Sequence, residues 1–261
     1  MTHILTQTHG PVSTITLNNP DKHNAFDDTL IAHLTATLKE LDANPAVRIV
    51  ILSAAGSSFS AGADLNWMKR MAAYSEAENF RDAMGLAELM RTLHGLSKPT
   101  IARVQGAAYG GGVGLVACCD MAVGTPQAIF ALSEVRLGLI PAVISPYVIA
   151  AIGQRSAQRY FLTGERFNAV EAHRLGLLHE LAADENAMDA TITEWTHALL
   201  SCSPAAITES KRLIAAVANR PIDEHPITET AQRIARVRAS AEGREGVSAF
   251  LEKRKPSWFA R

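Results

Sequence analysis

The sequence predicts an α/β protein whose strands are joined by crossover connections and followed by a helical C-terminal part. Short runs of apolar and β-branched residues, such as Val47–Leu52, are typical of buried strands. Between them lie segments in which leucines recur every three or four residues, as on the buried face of a helix. Beyond Ile144 helical patterns dominate. We therefore expect an α/β core over residues 1–200 and a helical region over residues 201–261, within one folding unit.

The first half of the chain alternates between strand and helix signals. Two strand-like pieces flank Gly10-Pro11, and a turn-rich loop precedes a helix that starts at Asp27 or Asp28. Ser75-Glu76-Ala77-Glu78 is a capping box that opens a long helix, and Pro99 ends it. The remaining predicted elements of this half are strands at Val12–Leu17, Val47–Leu52, Thr100–Gln105, Met121–Gly124 and Ala128–Leu132, a short helix containing Trp67 and Met68, and a helix at Val113–Cys119.

The second half reads as a succession of helices. The predicted helices are Pro146–Gly153, Ser156–Thr163, Ala169–Leu175, Asp184–Ser201, Pro204–Ala218, Ile227–Ala241 and Gly243–Arg254. Only Leu177–Leu181 has an extended pattern. In the long helix before Pro99, one side is expected to carry Phe80, Leu86, Leu89, Met90 and Leu93.

Composition argues against several classes of function. The net charge of −1 gives no support for nucleic acid or an anionic membrane as the main partner. No run of about 18 apolar residues is present, so no membrane span is expected. Cys118, Cys119 and Cys202 lack metal-ligand spacing, and we interpret them as reduced core residues of a cytoplasmic protein.

The stretch Val104–Leu115 is the most informative part of the chain. A short strand runs into Gly110-Gly111-Gly112 and then into a small, apolar helix. This arrangement places free backbone N–H groups at a helix N-terminus, where an anion or a developing oxyanion can bind. The residues alone also allow a purely structural tight turn. The pattern fits neither a dinucleotide-binding fingerprint nor a phosphate-binding loop with its Lys-Ser/Thr pair.

Glu134 is an isolated acid in the apolar segment from Leu132 to Pro141. A carboxyl group in such surroundings is expected to have a raised pKa, which suits general acid and base catalysis. The alternative is an ion pair with Arg136 or another base. In the proline-containing loop near the N-terminus, Lys22 and His23 suit either a phosphate contact or a solvated turn.

In this order and spacing, the motifs of the chain resemble the crotonase, or enoyl-CoA hydratase/isomerase, superfamily over essentially its whole length. The matching segments are Asn19-Pro20-Asp21-Lys22-His23-Asn24-Ala25, Phe59-Ser60-Ala61-Gly62-Ala63-Asp64-Leu65, Lys98-Pro99, Gln105 to Gly112, Cys119-Asp120, Phe130 to Pro141, Leu162-Thr163-Gly164-Glu165, Ala172 to Leu177, Ser210-Lys211 and Ala249 to Arg254.

The resemblance implies a spiral of ββα units with a helical C-terminal trimerisation region, in a trimer or a dimer of trimers. It implies an acyl-CoA thioester substrate, with CoA as part of the substrate and no separate cofactor or metal. Ala63 and Gly111 match the pair whose N–H groups form an oxyanion hole, and Glu134 matches a catalytic acid. The positions that match CoA-binding residues are Lys22, His23, Ala25, Ala61 and Asp64, with Phe250 and Lys253 reaching a neighbouring subunit's CoA.

One departure from the family pattern concerns the catalytic acids. Hydratases of this superfamily commonly use two glutamates, and the position of the first is Gly114 here. We expect Gly114 to leave space, or a water molecule, where the second acid would stand. Glu134 would then act alone, first as a base on water and then as an acid at the α-carbon.

The segments around Ala117–Ala122 and Leu132–Arg136, with Pro141-Ala142-Val143-Ile144-Ser145-Pro146, look most like bacterial methylglutaconyl-CoA hydratases of leucine degradation. The leading hypothesis is therefore hydration of 3-methylglutaconyl-CoA. The alternatives are hydration of isohexenylglutaconyl-CoA in acyclic terpene degradation, isomerisation of an enoyl-CoA by Glu134 alone, and a CoA-ester-binding or RNA-binding homologue without catalysis. The net charge weakens the RNA-binding alternative.

Overall fold

The computed structural model describes residues 3–260. Its strands are β1 (Ile4–His9), β2 (Val12–Leu17), β3 (Ile49–Ala54), β4 (Ser58–Ser60), β5 (Thr100–Val104), β6 (Ala107–Tyr109), β7 (Met121–Gly124), β8 (Ile129–Ala131), β9 (Arg166–Asn168) and β10 (Glu180–Leu181). Its α-helices are α1 (Asp28–Ala43), α2 (Leu65–Met71), α3 (Glu76–His94), α4 (Gly111–Cys118), α5 (Ser145–Thr163), α6 (Ala169–Leu175), α7 (Glu185–Ser201), α8 (Pro204–Val217), α9 (Glu224–Ala239) and α10 (Ala241–Leu251). Short 3-10 helices lie at Pro20–Lys22, Glu134–Leu137 and Ser257–Ala260.

The strands form two sheets that the chain visits in turn. The larger sheet has the order β1-β2-β3-β5-β7-β10 and the smaller one β4-β6-β8-β9. From β3 to β8, successive strands alternate between the sheets, and each of the pairs β3–β4, β5–β6 and β7–β8 is followed by helix. Apart from the antiparallel β1–β2 and β8–β9 pairs, the strands are parallel. This is the spiral of ββα units that the resemblance implied, so the predicted α/β fold class is confirmed.

Local signals position the helices as the sequence predicts. Asp27 caps α1 by accepting a hydrogen bond from the Leu30 N–H, and the capping box of Ser75 and Glu78 opens α3. Two helices were expected on either side of residue 154, and they form one α5 with a break at Gly153, where φ is +76°. Only glycine adopts that conformation readily, so this residue sets the kink.

Two apolar layers hold the sheets and helices together. The main core fills the space between the sheets and helices α1, α3, α4 and α5, and Phe26, Phe59 and Phe130 are among its largest buried side chains. A second cluster covers the other face of the large sheet, where Met188 and Ile192 of α7 pack on the isoleucines of β3 and β5. Both faces of the central parallel strands are thus buried, as their continuous apolar sequences predicted.

The structure also differs from the sequence-based expectations. Strands β4, β6 and β9 were not predicted, because runs of three residues are too short to show a period of two. The third strand begins at Ile49 rather than Val47. In α3, Leu89, Met90 and Leu93 are buried as expected, but Phe80 is 67% exposed and lies outside the core. No helix in residues 3–260 has the length and apolar character needed to cross a lipid bilayer.

The C-terminal helices α8, α9 and α10 leave many apolar side chains exposed. In the described chain, α8 and α9 bury no residue completely and α10 buries Ala249 alone. Exposed apolar residues of this region are Ile214, Ile222, Ile227, Ile234, Val247, Phe250 and Leu251. The division of the chain near residue 200 remains a prediction, as does the role of the C-terminal region in oligomerisation.

A half-buried ion pair fastens α8 to the core. Lys211 Nζ lies 2.7 Å from Asp120 Oδ2 and also donates to the Lys98 carbonyl. The same Asp120 oxygen accepts hydrogen bonds from the backbone N–H and the hydroxyl of Thr100 at the start of β5. The lysine therefore neutralises a carboxylate that the core itself holds in place.

Replacing Lys211 by Met should destabilise the protein by about 1–3 kcal/mol, because it leaves the Asp120 carboxylate without its cation. The neighbouring Arg212 is a matched control. Its ion pair with Glu209 is exposed, and Arg212→Met should change stability by less than about 0.5 kcal/mol. The free energy of unfolding in urea measures both. Equal losses in the two variants would contradict the role assigned to the Lys211 pair.

Candidate active site

Two backbone segments approach each other closely at the N-terminus of α4. A Cβ atom at Gly112 would lie 2.8 Å from the Ser60 carbonyl oxygen, and one at Gly62 would lie 3.0 Å from the Tyr109 carbonyl oxygen. Gly62 also has φ +86°, which disfavours any residue with a side chain. Glycine at these positions therefore allows the segment 60–64 to pack directly against β6 and the first turn of α4.

Phe26 connects both sides of this contact. Its N–H donates to the Gly62 carbonyl at 2.6 Å, and its carbonyl accepts from the Asp64 N–H at 2.7 Å. These two hydrogen bonds pair Phe26 with Ala63 in a parallel bridge. Its ring is buried against Gly111, because a Cβ atom at Gly111 would lie only 2.5 Å from Cε2 of Phe26. Sequence reasoning missed Phe26, because an apolar residue after a polar loop reads as ordinary core.

One N–H group on each side of this contact is left without a backbone acceptor there. In this parallel bridge Phe26 bonds to Gly62 and Asp64, the two neighbours of Ala63, and not to Ala63 itself. The Ala63 N–H therefore points away from Phe26. Gly111 is the first residue of α4, and the first N–H groups of a helix have no acceptor within it. The two segments that carry these N–H groups are in contact, and an oxyanion hole formed by Ala63 and Gly111 remains a prediction.

Glu134 opens a short 3-10 helix that follows β8, and its carboxyl group lies against Gly110. Its Oε1 is 3.0 Å from the position that a Cβ of Gly110 would take. Its Oε2 is buried and accepts no hydrogen bond from residues 3–260. Burial raises the pKa of this carboxyl, and a contact with its own backbone N–H offsets part of the rise.

The alternative of an ion pair between Glu134 and Arg136 is wrong. Within residues 3–260, no cation lies within ion-pair distance of Glu134. The Arg136 side chain extends toward the end of α5, with Nε 3.2 Å from the Cβ position of Gly164. The isolation of Glu134 in the sequence therefore reflects a carboxyl without a counter-charge.

The expectation that Gly114 leaves space is also wrong. A Cβ atom at Gly114 would lie 2.3 Å from Cγ2 of Ile144 and 3.2 Å from Cε of Met90. The direction in which a glutamate would extend is thus filled by apolar side chains. The sequence held a signal for this, because Ile144 belongs to the segment that departs from the family pattern.

Five of the predicted CoA-binding residues lie together. Lys22 Nζ is 2.9 Å from Asp64 Oδ2, and the Ala61 N–H donates to the His23 carbonyl at 2.9 Å, next to Ala25. Asp64 also caps α2, since its other carboxylate oxygen accepts from the Asn66 and Trp67 N–H groups. The hydrogen bond from Lys22 is the main reason that the pKa of Asp64 is lowered. The carboxylate of Asp64 is thus fully engaged within the chain.

Two buried amides hold this loop in shape. Asn24, with φ +54°, donates to the carbonyls of Ala55 and Ser58 and accepts from the Asn19 N–H. Gln105 Nε2 lies within hydrogen-bond distance of the carbonyls of Ala54, Gly56 and Ser58. Both residues stood in the family motifs but were not predicted as site residues, since their partners are distant in sequence.

Phe250 and Lys253 lie away from this loop, at the C-terminal end of α10. Phe250 is 82% exposed, and no hydrogen bond or ion pair of residues 3–260 joins this helix end to residues 22–25 or 61–64. Contact with a neighbouring subunit's CoA thus remains a prediction. Among the described residues, no three His, Cys, Asp or Glu side chains converge as metal ligands would.

Comparisons with known proteins point to one family. Residues 7–261 match the family model described as enoyl-CoA hydratase/isomerase. A solved enoyl-CoA hydratase from Shewanella pealeana is 45% identical, with a TM-score of 0.96 over 98% of this chain and 96% of that one. A Thermus thermophilus relative named among enoyl-CoA hydratases is 32% identical over 95% of this chain and 97% of its own. The mevalonyl-coenzyme A hydratase of Aspergillus fumigatus is 33% identical over 94% of this chain and 90% of its own.

Glu134→Gln should stabilise the protein at neutral pH and have little effect at acidic pH. The raised pKa means that the folded protein binds this proton more tightly than the unfolded chain. The contribution of Glu134 to stability is therefore fully present below the ordinary glutamate pKa, and it is lost as pH rises through the pKa of Glu134 in the folded protein. Glutamine does not titrate, so the variant avoids this loss. Melting temperatures of the two proteins between pH 4 and pH 8 test this. A constant difference across that range would contradict it.

Proposed function

The chain belongs to the enoyl-CoA hydratase/isomerase family of the crotonase superfamily, and from this premise we propose that it hydrates 3-methylglutaconyl-CoA. The observation that carries the proposal is the placement of Glu134. Its side chain is half-buried with Oε2 shielded from solvent, has no counter-charge within residues 3–260, and lies against the turn that opens α4. A group of this kind can exchange a proton near a thioester held at that helix end.

In the proposed reaction, the thioester oxygen accepts hydrogen bonds from the N–H groups of Ala63 and Gly111. The Glu134 carboxylate takes a proton from water while the water oxygen bonds to the β-carbon, and the π electrons move onto the thioester oxygen. The enolate then collapses as Glu134 returns that proton to the α-carbon. Both donors stabilise charge where it develops in the transition state. Water and substrate balance the reaction, so we propose no cofactor.

The loop of Lys22, His23, Ala25, Ala61 and Asp64 is the proposed binding site for the nucleotide and pantetheine of CoA. Lys22 is half exposed and is the cation available to a phosphate there. We further propose that Phe250 and Lys253 complete this site in a neighbouring subunit of a trimer or a dimer of trimers. The exposed apolar residues of α8, α9 and α10 support such an assembly.

The choice of acyl group rests on sequence resemblance and on one relative. Mevalonyl and 3-methylglutaconyl groups both have a five-carbon chain with a methyl branch at carbon 3 and an oxygen function at carbon 5. A relative named for mevalonyl-CoA therefore supports a branched substrate of this size. Isohexenylglutaconyl-CoA, which carries a longer branch, is the alternative. Cys118 and Cys119 lie in the core as expected, whereas Cys202 is exposed, so its assignment to the core was wrong. The free thiols of all three support a reducing, cytoplasmic setting.

A second candidate reaction is isomerisation of an enoyl-CoA. One observation favours it: Ile144 fills the place of a second acid, and moving a proton between two carbons needs a single acid. A CoA-ester-binding homologue without catalysis is the third candidate. Product analysis in H₂¹⁸O separates these reactions, since only hydration places solvent oxygen in the product.

The deciding experiment is a panel of 3-methylglutaconyl-CoA, isohexenylglutaconyl-CoA and crotonyl-CoA with the purified protein. Loss of the conjugated thioester absorbance and mass analysis of the products follow each reaction. Rapid ¹⁸O incorporation into the first compound supports the proposal. Transfer of the double bond without ¹⁸O would replace hydration by isomerisation, and binding without turnover of any compound would exclude both.

Glu134→Gln should lower kcat by about 10²–10⁴-fold, because a single group supplies both proton transfers. Binding of a saturated acyl-CoA should stay within a few-fold of the wild type, since the CoA loop is unchanged. Rapid kinetics and calorimetric titration measure the two effects. Glu165→Gln, at an exposed glutamate paired with Arg159, is the control and should leave kcat unchanged. Full activity in the Glu134 variant would refute the mechanism.

A further inference from the structure

Ile144 occupies the position toward which a side chain at residue 114 would extend. Its Cγ2 and Cβ lie 2.3 Å and 2.9 Å from an ideal Cβ at Gly114, and Cε of Met90 lies 3.2 Å from the same point. Both side chains are buried. The backbone of Ile144 is fixed as well, because its carbonyl accepts from the N–H groups of Tyr147 and Val148 at the start of α5.

This apolar contact lies next to the catalytic carboxyl along α4. The Gly114 N–H donates to the Gly110 carbonyl at 3.2 Å, so the two glycines are one helical turn apart, about 5–6 Å. Glu134 packs on the first of them and Ile144 on the second. Glu134 and Ile144 therefore pack on points of the chain one turn apart, Glu134 at the N-cap of α4 and Ile144 on its first turn.

We propose that Ile144 is a positioning residue for Glu134. With Met90 it forms an apolar wall in the place of a second carboxyl group, and this wall keeps water and hydrogen-bond donors away from the Glu134 carboxyl. The effect on turnover rests on the proposed function, whereas the effect on protonation of Glu134 does not.

No other charged group accounts for the surroundings of Glu134. The titratable groups on its own 3-10 helix, on α4 and on α5 are Arg136, Cys118, Tyr147, Arg155, Arg159 and Tyr160. Cys118 contacts Met90 and Tyr147 packs on His94, while Arg155 is exposed. Arg159 pairs with Glu165, and Tyr160 donates to Glu171. None of them contacts the Glu134 carboxyl, so apolar burial dominates there.

The test compares Ile144→Thr with Ile144→Val. Threonine and valine have the same shape, so the two variants differ by one hydroxyl group that can hydrogen-bond to a carboxylate or bring water with it. Infrared difference spectra of the carboxyl band, with Glu134→Gln as the reference, give the pKa of Glu134 without substrate. We expect the threonine variant to lower that pKa by at least half a unit relative to the wild type, with a smaller shift for valine.

The matched control is Ile152→Thr. Ile152 is equally buried, lies two turns further along α5 and belongs to the same core, so its variant loses similar packing without touching Gly114. The proposal is overturned if Ile144→Thr leaves the pKa of Glu134 at the wild-type value, or if Ile152→Thr lowers it as much. Should the threonine variant not fold, Ile144→Ala must lower the pKa, because water replaces the lost carbons.

The acidic limb of the kcat/KM profile provides a second readout. If the carboxylate form of Glu134 is the active base, the limb should move to lower pH by the same amount as the spectroscopic pKa. A shift in the spectroscopic pKa of Glu134 without a shift of the kinetic limb would support the role of Ile144 and exclude Glu134 as the base. The failure of the proposed function would therefore be distinguishable from the failure of this inference.

Discussion

The contact between residues 60–64 and the first turn of α4 is the constraint on which the site depends. It requires glycine at positions 62 and 112, since a Cβ atom at either would meet backbone oxygen at 3.0 Å or less. Phe26 then fixes the distance from the other side, with its backbone bridged to Ala63 and its ring against Gly111. Two backbone segments nearly 50 residues apart are thereby held in contact by the chain itself, as the proposed stabilisation of an oxyanion by Ala63 and Gly111 requires.

Two opposing effects act on the carboxyl group beside that helix end. The N-terminus of α4 favours a negative charge and on its own would lower the pKa of Glu134. Burial disfavours the charge and raises the pKa of Glu134, and a contact with its own backbone N–H offsets part of the rise. The absence of a cation near Glu134 among the described residues explains this balance. A carboxyl without a nearby cation and with one shielded oxygen is protonated more readily than an ordinary glutamate, a property that the proposed single-acid mechanism would use.

The sequence predicted those parts of the structure that have local signals. The capping box at Ser75, the leucine spacing of α1 and the glycine turn at 110–112 located their elements within a few residues. The family motifs pointed to Glu134, Ala63 and the loop around Lys22, whose roles remain predictions. What could not be predicted depends on contacts between distant segments: strands β4, β6 and β9 of the small sheet, the packing of Phe26, and the filling of the Gly114 position by Ile144. A glycine in a sequence does not reveal whether its missing side chain leaves a cavity or admits a neighbour.

The loop that carries Lys22 is built as an extension of the same rigid contact. Asn24 and Gln105 both bond the Ser58 carbonyl, and the Ser60 hydroxyl donates to the Asn24 carbonyl, so the loop and the 58–64 segment move as one unit. Asp64 strengthens the connection, because one carboxylate oxygen binds Lys22 and the other caps α2 directly after Ala63. A phosphate that attracts Lys22 would therefore change its ion pair with Asp64, which directly follows the proposed oxyanion donor Ala63. Binding energy from the distant nucleotide can in this way contribute to positioning at the thioester, where small displacements have large effects on rate.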